Sequence, residues 1–226
     1  MNQTTADFLA TVPLFGGLAR PDLEQFAELT REKTYPRGSV ILFEHDPGDS
    51  LFVVRSGRVK VVLIGDDGRE VILGVLGVGA HFGELSLIDD RPRSAHVIAM
   101  EDSDLLVLHR ADFRERVAAS PSVAWSLLTE LSRRLRRADD KIGGLVLLDV
   151  PGRMARLLLD LADENGSATI GKVLTHQTIA QMIGASRETV SRAMKDFQDG
   201  GLIGVERRRI TLLDRPALER RAQVRA

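Results

Sequence analysis

The sequence predicts an α+β protein: an N-terminal antiparallel β-roll or jelly roll, a long helix, and a C-terminal winged helix-turn-helix. Short apolar runs separated by glycine turns recur at roughly ten-residue spacing between residues 39 and 110, which is typical of a roll or barrel. A helical apolar seam follows Pro121, and two short helical patterns flank Gly184. We therefore expect domains at residues 1–120, 121–148 and 149–226.

Composition excludes several classes of function. The chain has 226 residues, 43% of them hydrophobic and 28% charged, as in ordinary soluble proteins. The absence of cysteine excludes disulfides, thiolate metal sites and a cysteine nucleophile. No apolar run reaches the roughly 18 residues of a membrane helix, and the N-terminus lacks a signal-peptide pattern. We expect a cytoplasmic protein.

The net charge of −1 combines an acidic part and a basic part. Residues 1–132 carry 13 Lys and Arg against 20 Asp and Glu, whereas residues 133–226 carry 18 against 12. The two parts therefore have net charges of −7 and +6. This asymmetry indicates a nucleic-acid partner for the C-terminal part.

The first 35 residues read as helical, with a helix opening at Arg20-Pro21-Asp22. The character then changes to apolar runs bounded by turn residues such as Pro47-Gly48-Asp49 and Asp66-Asp67-Gly68. These runs predict strands at residues 39–44, 50–55, 57–64, 70–75, 95–100 and 105–110. A helix is expected to follow from Ala111 until the break at Ser120-Pro121.

The long helix carries apolar and small residues that alternate by three and four positions: Leu128, Leu131, Leu135, Ala138, Ile142 and Leu145. This spacing is the seam of a helix that pairs with a second copy, so it predicts a homodimer. The arginines between them, Arg133, Arg134, Arg136 and Arg137, are interpreted as solvated flanks. The alternative is a helix whose apolar face packs on its own domain.

The C-terminal part predicts a helix over residues 153–162, then two short helices separated by Gly184-Ala185-Ser186, then a hairpin wing over residues 201–213. Arg187 and Arg192 can each bind guanine O6 and N7, while Glu188 can accept from cytosine N4. The alternative is a solvated face with an Arg–Glu pair. The predicted DNA-binding residues are Thr175, His176, Gln177, Ser186, Arg187, Glu188, Thr189, Arg192 and, in the wing, Arg208.

A second group of residues, between positions 79 and 95, predicts a cradle for a ribose and a phosphate. Gly83 permits close backbone approach, Glu84 can accept from a ribose hydroxyl, and Arg93 with Ser94 can bind phosphate oxygens. The stretch lacks the Gly-Lys-Ser/Thr ending of a triphosphate loop, so ATP hydrolysis is not expected. An ordinary turn with an Arg–Glu ion pair is the alternative. The predicted cradle residues are Gly83, Glu84, Leu85, Ser86, Arg93, Ser94 and Ala95.

Three stretches resemble the cyclic AMP receptor protein (CRP/FNR) superfamily of bacterial transcription regulators: residues 82–86 with 93–95, residues 148–153, and residues 184–192. The resemblance implies a cyclic-nucleotide-binding roll, a dimerisation helix and a hinge before the DNA-binding domain. It assigns the ribose to Glu84 and the phosphate to Arg93 and Ser94. It assigns base reading to Arg187, Glu188 and Arg192. It also implies cAMP as effector, a palindrome with TGTGA half-sites, a homodimer and RNA polymerase as a partner.

The chain departs from the family pattern where the ligand's base is held. A threonine and the residue after it hold adenine in the cAMP-responsive members, and those positions are Ala138 and Asp139 here. A carboxylate facing two adjacent donors suits guanine N1 and N2, so cGMP or another guanine nucleotide is an alternative effector to cAMP. Asp139 could instead point into solvent or pair with Arg136.

Two other functions remain open. A regulator of the same fold could ignore nucleotides or respond to another effector, although the missing cysteines exclude an iron–sulfur sensor and no haem ligands are identifiable. A metal-dependent enzyme of cupin type would need clustered histidines, whereas His45, His81, His96 and His109 are scattered. We therefore expect a regulator and not an enzyme, with no catalytic or metal site.

Overall fold

The computed structural model describes residues 2–164, 166–171, 174–206 and 209–223, with side chains from residue 5 onward. The chain divides into two compact units, Met1–Leu135 and Arg136–Ala226. Each unit buries its own apolar residues. Within the described residues, no helix combines the length and the apolarity needed to cross a membrane.

The first unit begins with helices that cover the roll. Helix α1 spans Asn2–Thr11, a 3-10 turn spans Pro13–Phe15, and α2 spans Arg20–Leu29 with a proline in its first turn. The rings of Phe15 and Phe26 lie 4.9 Å apart between their centroids and are almost fully buried. These helices share one buried core with residues on one face of two paired strands of the roll.

The roll consists of two antiparallel sheets. The first has the strand order β1-β8-β3-β6 and the second the order β2-β7-β4-β5. Phe52 and Phe82 stack inside the roll with centroids 5.1 Å apart. The strands are β1 Arg31–Tyr35, β2 Val40–Leu42, β3 Ser50–Ser56, β4 Val59–Ile64, β5 Glu70–Leu76, β6 His81–Phe82, β7 His96–Ala99 and β8 Ser103–His109, with the short helix α3 at Leu85–Asp89.

One prediction for this unit was wrong. Residues 31–35 form strand β1 and not a helix, and they pair antiparallel with β8 from Arg31↔Val107 to Tyr35↔Ser103. The first four residues of β1 are exposed, so no buried alternation marked the strand in the sequence. Backbone pairing with β8, rather than burial of its own side chains, holds this edge strand in place.

Two helices follow the roll. Helix α4 spans Arg110–Ala119 and the long helix α5 spans Pro121–Leu147, so the predicted break at Ser120 is confirmed, and Gly143-Gly144 does not interrupt α5. Val123 and Leu127 of α5 are buried in the core of the first unit. In contrast, the predicted seam positions Leu128, Leu135, Ile142 and Leu145 each remain more than half exposed. The N-terminal part of α5 therefore packs on the first unit, and the seam residue Leu131 is partly buried against that core, whereas the four seam positions named above remain exposed.

The second unit is a helical domain with a small sheet. After α5 come α6 Val150–Glu164, β9 Thr169–Ile170, α7 His176–Ile183, α8 Arg187–Asp199, β10 Ile203–Glu206, β11 Arg209–Leu212 and α9 Arg215–Ala222. Strands β10 and β11 form the predicted wing, and β9 extends it in the order β10-β11-β9. Met154, Ile179, Val190, Phe197 and Leu218 meet in its core. The winged helix-turn-helix is confirmed.

The sequence did not reveal β9 or α9. Helix α9 is capped by Asp214, whose Oδ1 accepts from the N–H of Ala217 at 2.9 Å, and a proline lies in its first turn. The Asp214-Arg215-Pro216 run is an N-terminal helix signature that could have identified it. Strand β9 has only two residues, which is too short for a periodic signal.

Candidate ligand cradle and nucleic-acid interface

Gly83 joins β6 to α3 in a conformation that requires glycine. Its φ angle is 85°, in the left-handed region. A Cβ at this position would lie 2.8 Å from Nη1 of Arg93 and 2.9 Å from the carbonyl oxygen of Ser50. The turn therefore brings the predicted glycine and the predicted arginine of the cradle into direct contact, 10 residues apart in sequence.

Arg93 is a buried cation, with 4% of its surface exposed. Its Nη1 donates to the carbonyl of Gly83 at 2.7 Å and its Nη2 to the carbonyl of Ser50 at 2.9 Å. Its buried Nε has no partner among the described residues. Burial lowers the pKa of Arg93, while the carboxylate of Asp49 acts in the opposite direction. Buried donors are normally satisfied, so this guanidinium is able to accept an anion as an additional partner.

Glu84 is also buried, with 1% exposure, and is only partly satisfied. Its Oε1 accepts from Nη1 of Arg134 at 2.8 Å, whereas Oε2 has no partner within the described part of the chain. Burial raises the pKa of Glu84, and Arg134 opposes that shift. The predicted cradle therefore has a free carboxylate oxygen that could accept from a hydroxyl group.

Sequence reasoning missed Arg134. It was interpreted as a solvated flank of the long helix, but it is only 30% exposed and binds three groups. Besides Glu84, it donates to the carbonyl of His81 at 2.6 Å and to Oε1 of Glu130 at 3.2 Å. The ion pair of the cradle is thus Glu84–Arg134 rather than Glu84–Arg93. No local signal pointed to it, because the two residues are 50 positions apart.

The remaining cradle residues differ in exposure. Ser86 and Ala95 are buried, whereas Leu85 and Ser94 are exposed. Ser94 is therefore accessible for a phosphate contact. Ala138 and Asp139, which the family pattern assigns to the base, are both exposed on α5.

The histidines do not form a metal centre. His81 is buried, and burial together with nearby Arg134 lowers its pKa to about 3, so it is neutral. His96 lies 3.7 Å from Glu44, and His109 lies 3.4 Å from the hydroxyl of Ser50. In the described ranges, no three His, Asp or Glu residues come together as a metal site would require.

In the second unit, α7 and α8 form the two helices of the helix-turn-helix. Ser186 caps α8 by accepting from the N–H of Thr189 at 3.1 Å, and Thr175 caps α7 by accepting from Thr178 at 3.0 Å. Gly184 ends α7 with a φ of 64°. Both caps were recognisable from sequence, because serine and threonine are preferred at helix N-termini.

Helix α8 presents its polar face to solvent. Arg187, Glu188 and Arg192 are exposed, whereas Val190 and Met194 are buried. The pKa of Glu188 is lowered, first by its own backbone N–H at the start of the helix and then by Ser186. The three predicted base-reading side chains are therefore exposed in the first turns of α8.

The predicted phosphate-binding residues that the structure describes lie at the starts of α7 and α8. Thr175 and Gln177 are exposed, and Nδ1 of His176 lies 2.8 Å from Oγ of Ser191, which links α7 to α8. The predicted contact at Arg208 lies outside the described residues.

The predicted hinge, residues 148–153, contains a cross-link within the second unit. Nη1 of Arg153 donates to the carbonyl of Leu148 at 2.8 Å, and Nε donates to the carbonyl of Ile183 at 2.8 Å. One side chain therefore connects the segment after α5 to the end of α7. A Cβ on Gly152 would lie 2.9 Å from the carbonyl of Arg221, so the hinge also packs closely on α9.

Comparison with known proteins identifies the family. The chain is 35% identical over 222 residues to the CRP-like cAMP-activated global transcriptional regulator of Mycobacterium tuberculosis, covering 96% of this chain and 99% of that protein. The chain belongs to the CRP-like family of transcription regulators. The cyclic AMP receptor protein of Thermus thermophilus is 36% identical over 191 residues, covering 84% of this chain and 88% of that protein.

The two family models that match this CRP-like regulator agree with its two units. A cyclic nucleotide-binding domain matches residues 32–120, and a Crp-like helix-turn-helix domain matches residues 152–221. Among solved structures, the c-di-GMP responsive global regulator CLP of Xanthomonas campestris has a TM-score of 0.76 at 26% identity, covering 87% of this chain and all of that one. The chain thus carries a cyclic nucleotide-binding domain and a Crp-like helix-turn-helix domain and is a DNA-binding transcription regulator, not an enzyme, which excludes the cupin alternative.

Proposed function

We propose that the chain is a homodimeric transcription regulator whose DNA affinity is raised by a cyclic nucleotide bound at the cradle. The observation that carries this proposal is a pair of buried charged side chains next to Gly83, each with one polar atom that makes no hydrogen bond to a described residue. Among the described residues, Oε2 of Glu84 and Nε of Arg93 have no partner, although both residues are at least 96% buried. Buried polar atoms are costly when unpaired, so a ligand with a hydroxyl and an anionic group fits both.

The ligand contacts follow from this chemistry. Glu84 accepts from a ribose hydroxyl, while Arg93 and the exposed hydroxyl of Ser94 bind phosphate oxygens. Backbone groups of Gly83, Leu85 and Ser86 and the small side chain of Ala95 complete the cradle. The guanidinium of Arg93 donates to the carbonyls of Gly83 and Ser50, so it is already held in place. This favours binding, because the side chain does not have to be ordered when the phosphate binds.

Arg134 supplies a route from the ligand to α5. It lies on α5 and binds Oε1 of Glu84, the carboxylate that we assign to the ribose. When a ribose hydroxyl donates to the same carboxylate, the hydrogen bond between Glu84 and Arg134 changes in strength. The attachment of α5 to the cradle changes with it. Within the second unit, Arg153 connects Leu148 to the end of α7. We propose that α5 carries the change to this hinge and biases the orientation of the recognition helix α8.

The exposed seam of α5 supports a homodimer. Leu128, Leu135, Ile142 and Leu145 are 54% to 64% exposed in the single chain, and their spacing matches a two-helix interface. Burying large apolar side chains contributes roughly 1.5–3 kcal/mol each relative to exposure. A dimer with twofold symmetry reads a palindrome. The family resemblance of residues 184–192 implies TGTGA as the half-site, so we propose a TGTGA palindrome as the target.

At each half-site, α8 reads base edges through Arg187, Glu188 and Arg192. Thr175, His176, Gln177, Ser186 and Thr189 bind phosphates, together with Arg208 of the wing. RNA polymerase is a further proposed partner, on the ground of the family resemblance alone.

We propose cAMP as the first effector to test, because the relatives from Mycobacterium tuberculosis and Thermus thermophilus are named for it. The residues at the base positions favour guanine instead, since Ala138 lacks a hydroxyl and Asp139 offers a carboxylate. The Xanthomonas campestris regulator, described as responsive to c-di-GMP, makes a cyclic dinucleotide a second candidate.

If Asp139 contacts the base, Asp139→Ser should shift selectivity from guanine toward adenine. The loss of a bidentate contact worth about 1–3 kcal/mol should change the ratio of the cGMP and cAMP dissociation constants by roughly 5- to 150-fold. Calorimetric titration of wild-type and variant protein with cAMP, cGMP and c-di-GMP measures this ratio. Asp140→Ser, which removes the adjacent exposed carboxylate, is the matched control.

An unchanged ratio in Asp139→Ser would refute the assignment of this residue to the base while leaving the cradle intact. No heat from any of the three nucleotides with wild-type protein would favour a regulator that is independent of nucleotides or responds to another effector.

A further inference from the structure

Arg110, the first residue of α4, lies outside the proposed ligand contacts but holds several segments that form them. Its Nη2 donates to the carbonyl of Ser86 at 3.0 Å and also to the carbonyl of Gly48. Its Nη1 pairs with Asp90, which follows α3, and its backbone N–H donates to the carbonyl of Asp49 at 2.7 Å. One side chain thus connects α3 to the loop over residues 46–49.

Arg114, one turn further along α4, completes the connection to α3. Its Nε donates to the carbonyl of Leu87 at 2.8 Å, and its Nη2 lies 2.8 Å from Oδ2 of Asp90. Asp90 itself has a left-handed φ of 58° at the end of α3. A helix of five residues has little stability of its own, so these external donors hold its C-terminal carbonyls.

The loop that Arg110 holds also holds Arg93. The backbone N–H of Arg93 donates to the carbonyl of Asp46 at 2.9 Å, and that of His45 donates to the carbonyl of Arg93 at 2.9 Å. A Cβ on Gly48 would lie 2.5 Å from Cβ of Ser86 and 2.9 Å from Cζ of Arg93. The loop is therefore packed between the two arms of the cradle, the α3 arm and the Arg93 arm.

We propose that Arg110 is a positioning residue for nucleotide affinity: it fixes the separation of the α3 arm and the Arg93 arm without touching the ligand. This inference rests on the proposed function. Binding constellations need their groups held within roughly 0.5 Å, and the planar fork of a guanidinium can donate to two carbonyls and a carboxylate at once. The compact ammonium of lysine cannot reproduce that fork.

The test is calorimetric titration of wild-type protein, Arg110→Lys and Arg110→Gln with cAMP, cGMP and c-di-GMP. Both variants should bind about 10-fold more weakly, the size of effect seen when supporting contacts of a ligand site are removed. Arg110→Lys keeps the positive charge, so failure of lysine to restore affinity separates positioning from electrostatic attraction. Arg91→Gln, which changes an exposed arginine near the same arm, should bind as wild type.

Asp90→Asn provides a second variant that should remain folded, because Asp90 is 64% exposed. It weakens both ion pairs at the end of α3 and should lower affinity, whereas Asp89→Asn should not. A double variant with Ser94→Ala should lose less affinity than the product of the two single losses, because both act on one cradle. If Arg110 or Asp90 only stabilised the fold, its substitution would lower the melting temperature, and its effect on affinity would not depend on whether Ser94 is also replaced.

Wild-type-like affinity in both Arg110→Lys and Asp90→Asn would overturn the role proposed for Arg110 but leave the proposed function standing. No nucleotide binding by wild-type protein would overturn the proposed function, and this inference with it.

Discussion

Replacement of Arg93 by alanine is expected to remove measurable cyclic nucleotide binding. Among the described residues of the cradle, Arg93 is the one buried cation, and its Nε has no hydrogen-bond partner. A phosphate that enters a buried site requires a charged donor. A hydrogen bond to a charged group is worth about 1.5–3 kcal/mol, so loss of the one available to Nε, together with the loss of the cation, should weaken binding by roughly 10- to 150-fold or more. Calorimetry with cAMP and cGMP measures the loss.

Arg91→Ala is the matched control, because it removes the same charge from an exposed position two residues away. The circular dichroism spectrum of each variant checks that the roll is folded. If Arg93→Ala bound the wild-type ligand with wild-type affinity, the assignment of the phosphate to this residue would be wrong.

Arg187→Ala is expected to abolish sequence-specific DNA binding while nucleotide binding is retained. A bidentate arginine–guanine contact discriminates by about 1–3 kcal/mol, and a dimer on a palindrome loses two of them. Fluorescence anisotropy with a TGTGA palindrome and with a scrambled duplex should show equal, weak affinity for both. The affinity of the scrambled duplex should fall little, because phosphate contacts elsewhere remain.

Arg220→Ala controls for charge, since it removes an exposed arginine on α9 of the same unit. It should preserve the preference for the palindrome. A preserved preference in Arg187→Ala would instead show that α8 does not read bases through this residue.

The parts of the fold with strong local periodicity were predictable from the sequence. The roll strands are short apolar runs between turn residues, and the helix-turn-helix carries capping residues at Thr175 and Ser186. Strand β1 was not predictable, because its charged residues are exposed and only pairing with β8 defines it. Sequence patterns report burial along one element, whereas this strand depends on an element about 70 residues away.

The same limit applies to the ligand site. Gly83, Glu84 and Arg93 lie within one short stretch, so their chemistry could be read together. Arg134 and Arg110 come from helices that are 50 and 24 residues from their partners Glu84 and Ser86. In the sequence, Arg134 and Arg110 look like ordinary residues on the polar faces of α5 and α4. Only the tertiary structure reveals which carboxylates and carbonyls they bind.

The central claim is that nucleotide binding raises DNA affinity, and one titration tests it most directly. The affinity of wild-type protein for a TGTGA palindrome should be measured by anisotropy at fixed salt, with and without saturating nucleotide. Allosteric coupling of about 1–3 kcal/mol predicts that the nucleotide strengthens specific binding by roughly 5- to 150-fold. The proposed homodimer predicts two chains bound per palindrome. Equal affinity with and without every nucleotide that binds the protein would contradict the account.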